Sequence, residues 1–215
     1  MMSIVRNQTR YWNQVAPSKT FGHPLDWDTL RDLFPSHSRI LDYGCGHGRL
    51  CGELWNNGFK DVIGVDSSTR MIEIAKQTYP KLDFRMVENS VFPFDNETFD
   101  VVLLFTVLTS VPADEEQKAI VSESYRVLRR GGILYVSDLP LQNDKRNRDR
   151  YEKFASKYGI FGVFKLPDGG VMRHHEMTWI CSLLRQFQEI SLKGITVTTM
   201  NGHQATGFQY IGSKT

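Results

Sequence analysis

Three glycines at alternate positions, Gly44, Gly46 and Gly48, follow the run Arg39-Ile40-Leu41-Asp42-Tyr43 and lead straight into a helical pattern. Glycine lets a backbone turn sharply and, with no Cβ, lets a ligand lie against the chain. A second apolar run, Val62-Ile63-Gly64-Val65, ends in Asp66. Its carboxylate either accepts hydrogen bonds from both hydroxyls of a ribose or forms the turn. Acid–base chemistry has separate candidates. His174 and His175, followed by Glu176, stand just before a late helix, where a neutral imidazole takes up a proton near pH 7. The alternative is ordinary surface or helix-entry residues. Adjacent side chains of an extended segment point apart, so at most one of the pair faces a common site. Asp138 ends an apolar run before Pro140 and reads either as a base or as a turn cap.

These residues need a frame, and the hydropathy pattern supplies one. Residues 1–24 are polar, with Tyr11-Trp12 near the centre, and helix 26–34 follows with Asp26 as cap and Pro35 as stop. From there strands alternate with amphipathic helices: strand 39–43, helix 48–57, strand 61–66, helix 68–79, strand 82–87 and strand 99–105. Helix 114–128 opens on Asp114, Glu115 and Glu116, which suit the positive end of its dipole, and Gly131-Gly132 turns into strand 133–138. Such alternation implies a parallel sheet covered on both faces. Residues 141–177 break the rhythm with the charged run 145–150 and an aromatic-rich stretch. A helix near 178–187 and β segments near 189–199 and 204–212 close the chain.

Four motifs in order, at consistent spacing, resemble the Rossmann-like (class I) S-adenosylmethionine-dependent methyltransferases. They are Ile40-Leu41-Asp42-Tyr43-Gly44-Cys45-Gly46-His47-Gly48, Val62-Ile63-Gly64-Val65-Asp66-Ser67-Ser68, the segment Glu88 to Asp100, and Arg126-Val127-Leu128-Arg129-Arg130-Gly131-Gly132-Ile133-Leu134. The resemblance implies an α/β, doubly wound, mostly parallel sheet with a C-terminal antiparallel hairpin and helices on both faces. It implies a single domain over 1–215, with segment 1–35 over the cofactor and 141–177 as an inserted lid or acceptor-binding segment.

The resemblance also implies the cofactor, S-adenosyl-L-methionine, and its site. Gly44, Cys45, Gly46 and Gly48 would form the turn, and Asp66 with Ser67 would hold the ribose. Met71 would pack near the adenine, with Glu88, Asn89 and Ser90 in the adenine loop. The family has aspartate at 88, so either Glu88 or Asn89 takes that contact. Phe105 and Thr106 would border the methionine moiety, Asp42 would orient the turn or reach the ammonium, and Tyr11 would line the site. A dinucleotide is the rival cofactor. Its fingerprint is G-x-G-x-x-G, whereas this turn is G-x-G-x-G with Arg49 next.

A histidine pair near 109–110 in many small-molecule members is replaced here by Thr109-Ser110. The Asn/Asp-Pro-Pro-Tyr/Phe signature of amino-methylating DNA and protein enzymes is replaced by Thr106-Val107-Leu108. A small-molecule acceptor is therefore expected, methylated on O, N or S. RNA or protein acceptors and a non-catalytic binding module are the alternatives. Tyr151, Phe154, Tyr158, Phe161 and Phe164 form either an aromatic lid over that acceptor or the core of the inserted segment. The run 145–150 contacts an acidic substrate or RNA backbone, or, interrupted as it is by Asp149, forms a solvated helical face.

A formal charge of +2 over 215 residues gives no global case for nucleic acid or a membrane surface. Cys45, Cys51 and Cys181 lack metal or disulfide spacing, and no metal site is expected. With no leader or membrane-spanning run, a cytoplasmic location is expected. Monomer and homodimer are equally compatible with the chain.

Overall fold

The computed structural model describes residues 8–88 and 91–215. Helices α1 (Thr9–Val15) and α2 (Trp27–Leu33) come first, and Asp26 caps α2 by accepting the Thr29 amide proton at 3.4 Å. Strand β1 (Arg39–Tyr43) leads into α3 (Arg49–Asn56), and β2 (Asp61–Asp66) leads into α4 (Thr69–Thr78), which Ser68 caps at the Met71 amide. Then come β3 (Asp83–Met86), β4 (Phe99–Phe105), the one-turn α5 (Val107–Ser110), α6 (Asp114–Val127) and β5 (Leu128–Asp138).

The sheet runs in the order β3-β2-β1-β4-β5-β9-β8, with β8 spanning Gln188–Thr198 and β9 Gln204–Ser213. β1 to β5 are parallel, while β9 is antiparallel to both β5 and β8. The chain starts in the middle at β1, walks out to β3 and crosses back to β4. That reversal creates a switch point between β1 and β4, where open α/β sheets bind ligands at their carboxyl ends.

Successive strand residues point to opposite faces, so each strand feeds two cores. Leu41, Ile63, Val65, Val102, Leu104, Leu134 and Val136 pack with Ile120, Val121, Ile180 and Leu184 on one face. Ile40, Val62, Val101, Leu103 and Tyr135 pack with Leu30, Leu50, Leu54, Ile72 and Ala75 on the other. The doubly wound architecture expected from the strand–helix alternation is thus the architecture observed.

Two local departures occur. β5 begins at Leu128, which pairs with Phe99, rather than after the glycine pair; Gly131, at φ +74°, sits where the β4–β5 register shifts. Segment 141–177 holds one helix, α7 (Lys145–Tyr158), and a small hairpin, β6 (Val163–Lys165) with β7 (Val171–Arg173). Its aromatics are mostly core. Tyr151, Phe164, Leu166 and Met172 cluster with Tyr11 and Trp12, and Tyr158 packs on Val163 and Val171, while Phe161 is half exposed. α8 (Met177–Leu184) then leads to β8. Among the described residues, no helix is long and apolar enough to cross a membrane.

Candidate active site

A cleft of about 680 Å³ opens at the switch point. Gly44, Cys45 and Gly46 after β1 line it, with Asp66, Ser67 and Met71 on one side and Phe105 and Thr106 on the other. Asp42 and Glu88 also reach it. The N-terminal segment contributes Thr9, Trp12, Phe21 and His23. That segment is tied down at two places. Gln8 donates to the carbonyls of Ser110 and Val171 at 2.8 and 2.7 Å, and Asn13 accepts from the Ser68 hydroxyl at 2.7 Å.

The glycine turn uses its own amides. Gly44 and Cys45 donate to the Val65 carbonyl, Gly48 donates to that of Cys45, and Gly46 donates to Oδ2 of Asp66 at 2.9 Å. Gly44 lies at φ +76°, and a Cβ there would sit 2.7 Å from Cγ2 of Val107. Gly48, at φ +82°, faces inward, where a Cβ would meet the Phe84 ring at 2.6 Å. Oδ1 of Asp66 accepts from the Ser68 amide at 2.8 Å. Burial pushes the Asp66 carboxyl pKa up, and the amides of Ser68 and Gly46 oppose that shift. Asp42 is fully buried, accepts from the Cys51 thiol at 3.3 Å, and is pushed by burial to a pKa of about 7. Capping of the turn, one of the roles open to Asp42, is therefore performed by Asp66.

The charge of the cleft is one-sided. Asp42, Asp66, Glu88 and Glu116 line it, and among the described residues Arg49 is the one guanidinium there, already engaged by Glu53 at 2.7 Å and the His23 carbonyl at 2.6 Å. A pyrophosphate needs free amides at a helix N-terminus. This turn has spent those of Gly44, Cys45, Gly46 and Gly48, and its surroundings are acidic. A ligand carrying a sulfonium and an ammonium, and no phosphate, fits the same surface. Two carboxylate oxygens offer about four lone-pair sites, more than the amides of Gly46, Ser67 and Ser68 occupy, which leaves Asp66 acceptor capacity for a ribose hydroxyl.

A family profile described as a methyltransferase domain matches residues 41–136. A crystal structure of an S-adenosylmethionine-dependent methyltransferase from Methanosarcina mazei superposes with a TM-score of 0.81 at 27% identity, covering 86% of this chain and 96% of that one. These matches support a class I, Rossmann-like methyltransferase. The methyl donor of that family is S-adenosyl-L-methionine. An uncharacterized methyltransferase from Anoxybacillus flavithermus is 26% identical, with 87% of each chain covered. A Drosophila pseudoobscura pseudoobscura protein named as an eEF1A lysine and N-terminal methyltransferase homolog is 28% identical, covering 91% of this chain. The chain spans 38% of that relative's length, and 21% of its Drosophila melanogaster namesake.

Of the residues expected at the cofactor site, Asp42, Gly44, Cys45, Gly46, Asp66, Ser67, Met71, Glu88, Phe105 and Thr106 all line the cleft. Asn89 and Ser90 lie outside the described residues. Gly48 and Tyr11 do not line it. Gly48 is turned to Phe84, and the Tyr11 hydroxyl donates to Asp168 at 3.2 Å while its ring packs on Gly170. Trp12 reaches the cleft instead, because one residue along a helix rotates the side chain by about 100°. Thr106 holds φ +57°, a left-handed conformation uncommon for a β-branched residue, at the mouth of β4.

A second, smaller cavity of about 70 Å³ lies beside the cleft. The two share Trp12, Phe21, His23, Thr106 and Ser110 as a common wall. Of the acid–base candidates, only His174 lines it. Its Nδ1 lies 2.5 Å from the Tyr151 hydroxyl, and burial with Arg150 and Arg146 nearby holds its pKa at about 3. His175 lines neither cavity; it is buried, with no hydrogen-bond partner on either ring nitrogen. Asp138 is also buried and away from both, its carboxylate accepting the amide protons of Thr109 at 3.1 Å and Leu139 at 2.8 Å. Its turn-capping reading is the one the geometry matches. The Thr109 hydroxyl donates to the Arg173 carbonyl and that of Ser110 to the Thr106 carbonyl.

Sequence reasoning missed His23. Its Nδ1 pairs with the Ser137 hydroxyl at 2.9 Å, and its Nε2 has no partner among the described residues. Burial, with Arg49 adding to it, holds its pKa at about 4. The only signal was a lone histidine between Gly22 and Pro24.

Proposed function

We propose that this chain transfers the methyl group of S-adenosyl-L-methionine to an O, N or S atom of a small-molecule acceptor. One observation carries this reading: a second cavity adjoins the donor cleft and shares five lining residues with it, so an acceptor seated there lies next to the donor. The bound cofactor supplies a methyl carbon on a positively charged sulfur, a leaving group that needs no protonation.

The protein's own residues then have two tasks. Asp66 and the glycine turn fix the donor, while the shared wall of Trp12, Phe21, His23, Thr106 and Ser110 positions the acceptor and excludes water. Holding the reacting atoms ~3–3.5 Å apart and aligned is the main source of rate in such a displacement. A base is needed only for an acceptor atom that carries a proton. His23 is the group we assign to accept that proton, at Nε2, with Nδ1 fixed by Ser137.

The names of the Drosophila relatives favour a second reading, a protein acceptor. Both readings meet one experiment. The protein is incubated with methyl-labelled S-adenosylmethionine and a cell extract separated into low-mass and protein fractions. Label in the low-mass fraction supports the small-molecule reading, and label confined to protein replaces it with the second. Binding of the cofactor in calorimetry, with no label in either fraction, points to a binding module without turnover.

A further inference from the structure

The two cavities carry opposite charge. Asp42, Asp66 and Glu88 line the donor cleft, whereas among the described residues the smaller cavity has no acid in its lining and has Arg146 and Arg150. Both arginines come from the basic run 145–150, which the fold splits. Lys145 and Asp149 pair with each other in solvent at 2.7 Å, while Arg146, Asn147 and Arg150 turn to the cavity.

Arg150 is held as a receptor rather than spent in a salt bridge. Its guanidinium carbon lies 3.5 Å from the centroid of the Phe164 ring, and its Nη2 is 3.5 Å from Nε2 of His174. Its Nε is buried with no hydrogen-bond partner, and among the described residues no carboxylate lies within ion-pair distance of it. Asp144, the nearest acid on that helix, instead caps α7 at the Asn147 amide and lies 3.9 Å from Arg146. Stacking on an aromatic face orients the planar fork that binds an oxyanion through two parallel hydrogen bonds. Asn147 on the same cavity is buried and its amide nitrogen donates to Asp144, so the donors turned to the cavity are those of the two guanidinium groups.

We propose that the smaller cavity binds the oxyanion head, carboxylate or phosphate, of an organic acceptor, with Arg150 as its principal contact and Arg146 as the second. This rests on the methyltransferase reading and specifies its substrate class. The cationic donor and the anionic acceptor then lie side by side where the two cavities meet along His23 and Thr106, each in a pocket of complementary sign. A lysine or N-terminal ammonium would meet like charge from both arginines, which sets this chain apart from the acceptors named for its Drosophila relatives.

The test uses the full chain saturated with S-adenosylhomocysteine and three ring probes of similar size: benzoate, phenyl phosphate and benzylamine. Calorimetry should show benzoate or phenyl phosphate binding about tenfold or more tightly than benzylamine, the ratio between the first two naming the oxyanion. Arg150→Gln should lose that preference while affinity for S-adenosylhomocysteine stays unchanged. Arg146→Gln, on an exposed side chain, should weaken the anion by a smaller factor and serves as the reading should Arg150→Gln fold poorly. Equal binding of anion and amine in the native protein, or full anion affinity in both variants, overturns the proposal. S-adenosylhomocysteine binding without anion preference removes only this inference. Anion preference with no cofactor binding removes the methyltransferase reading and leaves the anion site standing.

Discussion

Oδ2 of Asp66 accepts the amide proton of Gly46 at 2.9 Å, so the carboxylate at the end of β2 holds the turn at the end of β1. Of the two roles open to Asp66, ribose contact and turn former, the second is made within the protein, and it shapes the surface on which the cofactor would lie. Asp66→Ala removes both functions, and affinity for S-adenosylmethionine should fall by at least about 1.5–3 kcal/mol, the worth of a hydrogen bond to a charged group. Asp66→Asn keeps an oxygen acceptor and should lose less. Calorimetry on the two variants reads the difference, and equal affinity in all three proteins would remove Asp66 from the donor site.

Gly48 makes a contrasting prediction. It lies in the same turn but faces Phe84, where a Cβ would approach the ring to 2.6 Å, and its φ of +82° is itself unfavourable for alanine. Gly48→Ala should destabilise the fold by about 1–3 kcal/mol through overpacking. Chemical denaturation measures that loss. Cofactor affinity of the folded fraction should change less than in Asp66→Ala.

Much of this was legible because it is local. Asp26 before an apolar pattern reads as a cap, and Ile40/Leu41 or Val62/Ile63 divide between two cores by the strand's period of two. The glycine turn and Asp66 were legible as a pair because each terminates a strand beside the switch point. Tyr11 was misread in favour of its neighbour because a seven-residue helix with no clear apolar face does not reveal its rotation. His23 and Arg150 were not legible for a different reason. Their significance lies in unpartnered nitrogens against a common cavity, and the partners a side chain lacks are set by residues distant in sequence. The charge run 145–150 likewise concealed a division that only helix packing makes.

The buried titratable groups predict opposing pH dependences. Asp42 has its folded pKa raised to about 7, so between about pH 4 and 7 the folded state retains a proton that the unfolded chain has released. Stability from this group is fully present at low pH and falls as pH rises through that window. His174, depressed to about 3, behaves oppositely: below about pH 6.5 the unfolded chain takes up a proton that the folded state refuses, and stability falls as pH drops. The two slopes overlap and cancel in the native protein, so variants must separate them. Relative to native protein, Asp42→Asn should gain stability as pH is raised from 4.5 to 7.5, and His174→Gln should gain as it is lowered from 6.5 to 4.5. Urea denaturation across pH gives both differences, and parallel curves for variant and native protein would contradict the burial argument.

His175 separates a catalytic assignment from a structural one. The sequence offers it as a base, yet it lines neither cavity, and both ring nitrogens are buried without partners. An unsatisfied buried polar group costs about 1–3 kcal/mol, and an apolar side chain of similar size removes that cost. His175→Leu should therefore raise stability by about 1–2 kcal/mol, less whatever misfit the branched side chain introduces. Turnover should be unchanged. His23→Leu, by contrast, should lower turnover of any acceptor that must lose a proton, with donor affinity retained. Loss of turnover in His175→Leu with full activity in His23→Leu would return the base to the position the sequence first suggested and would move the acceptor away from the wall between the two cavities.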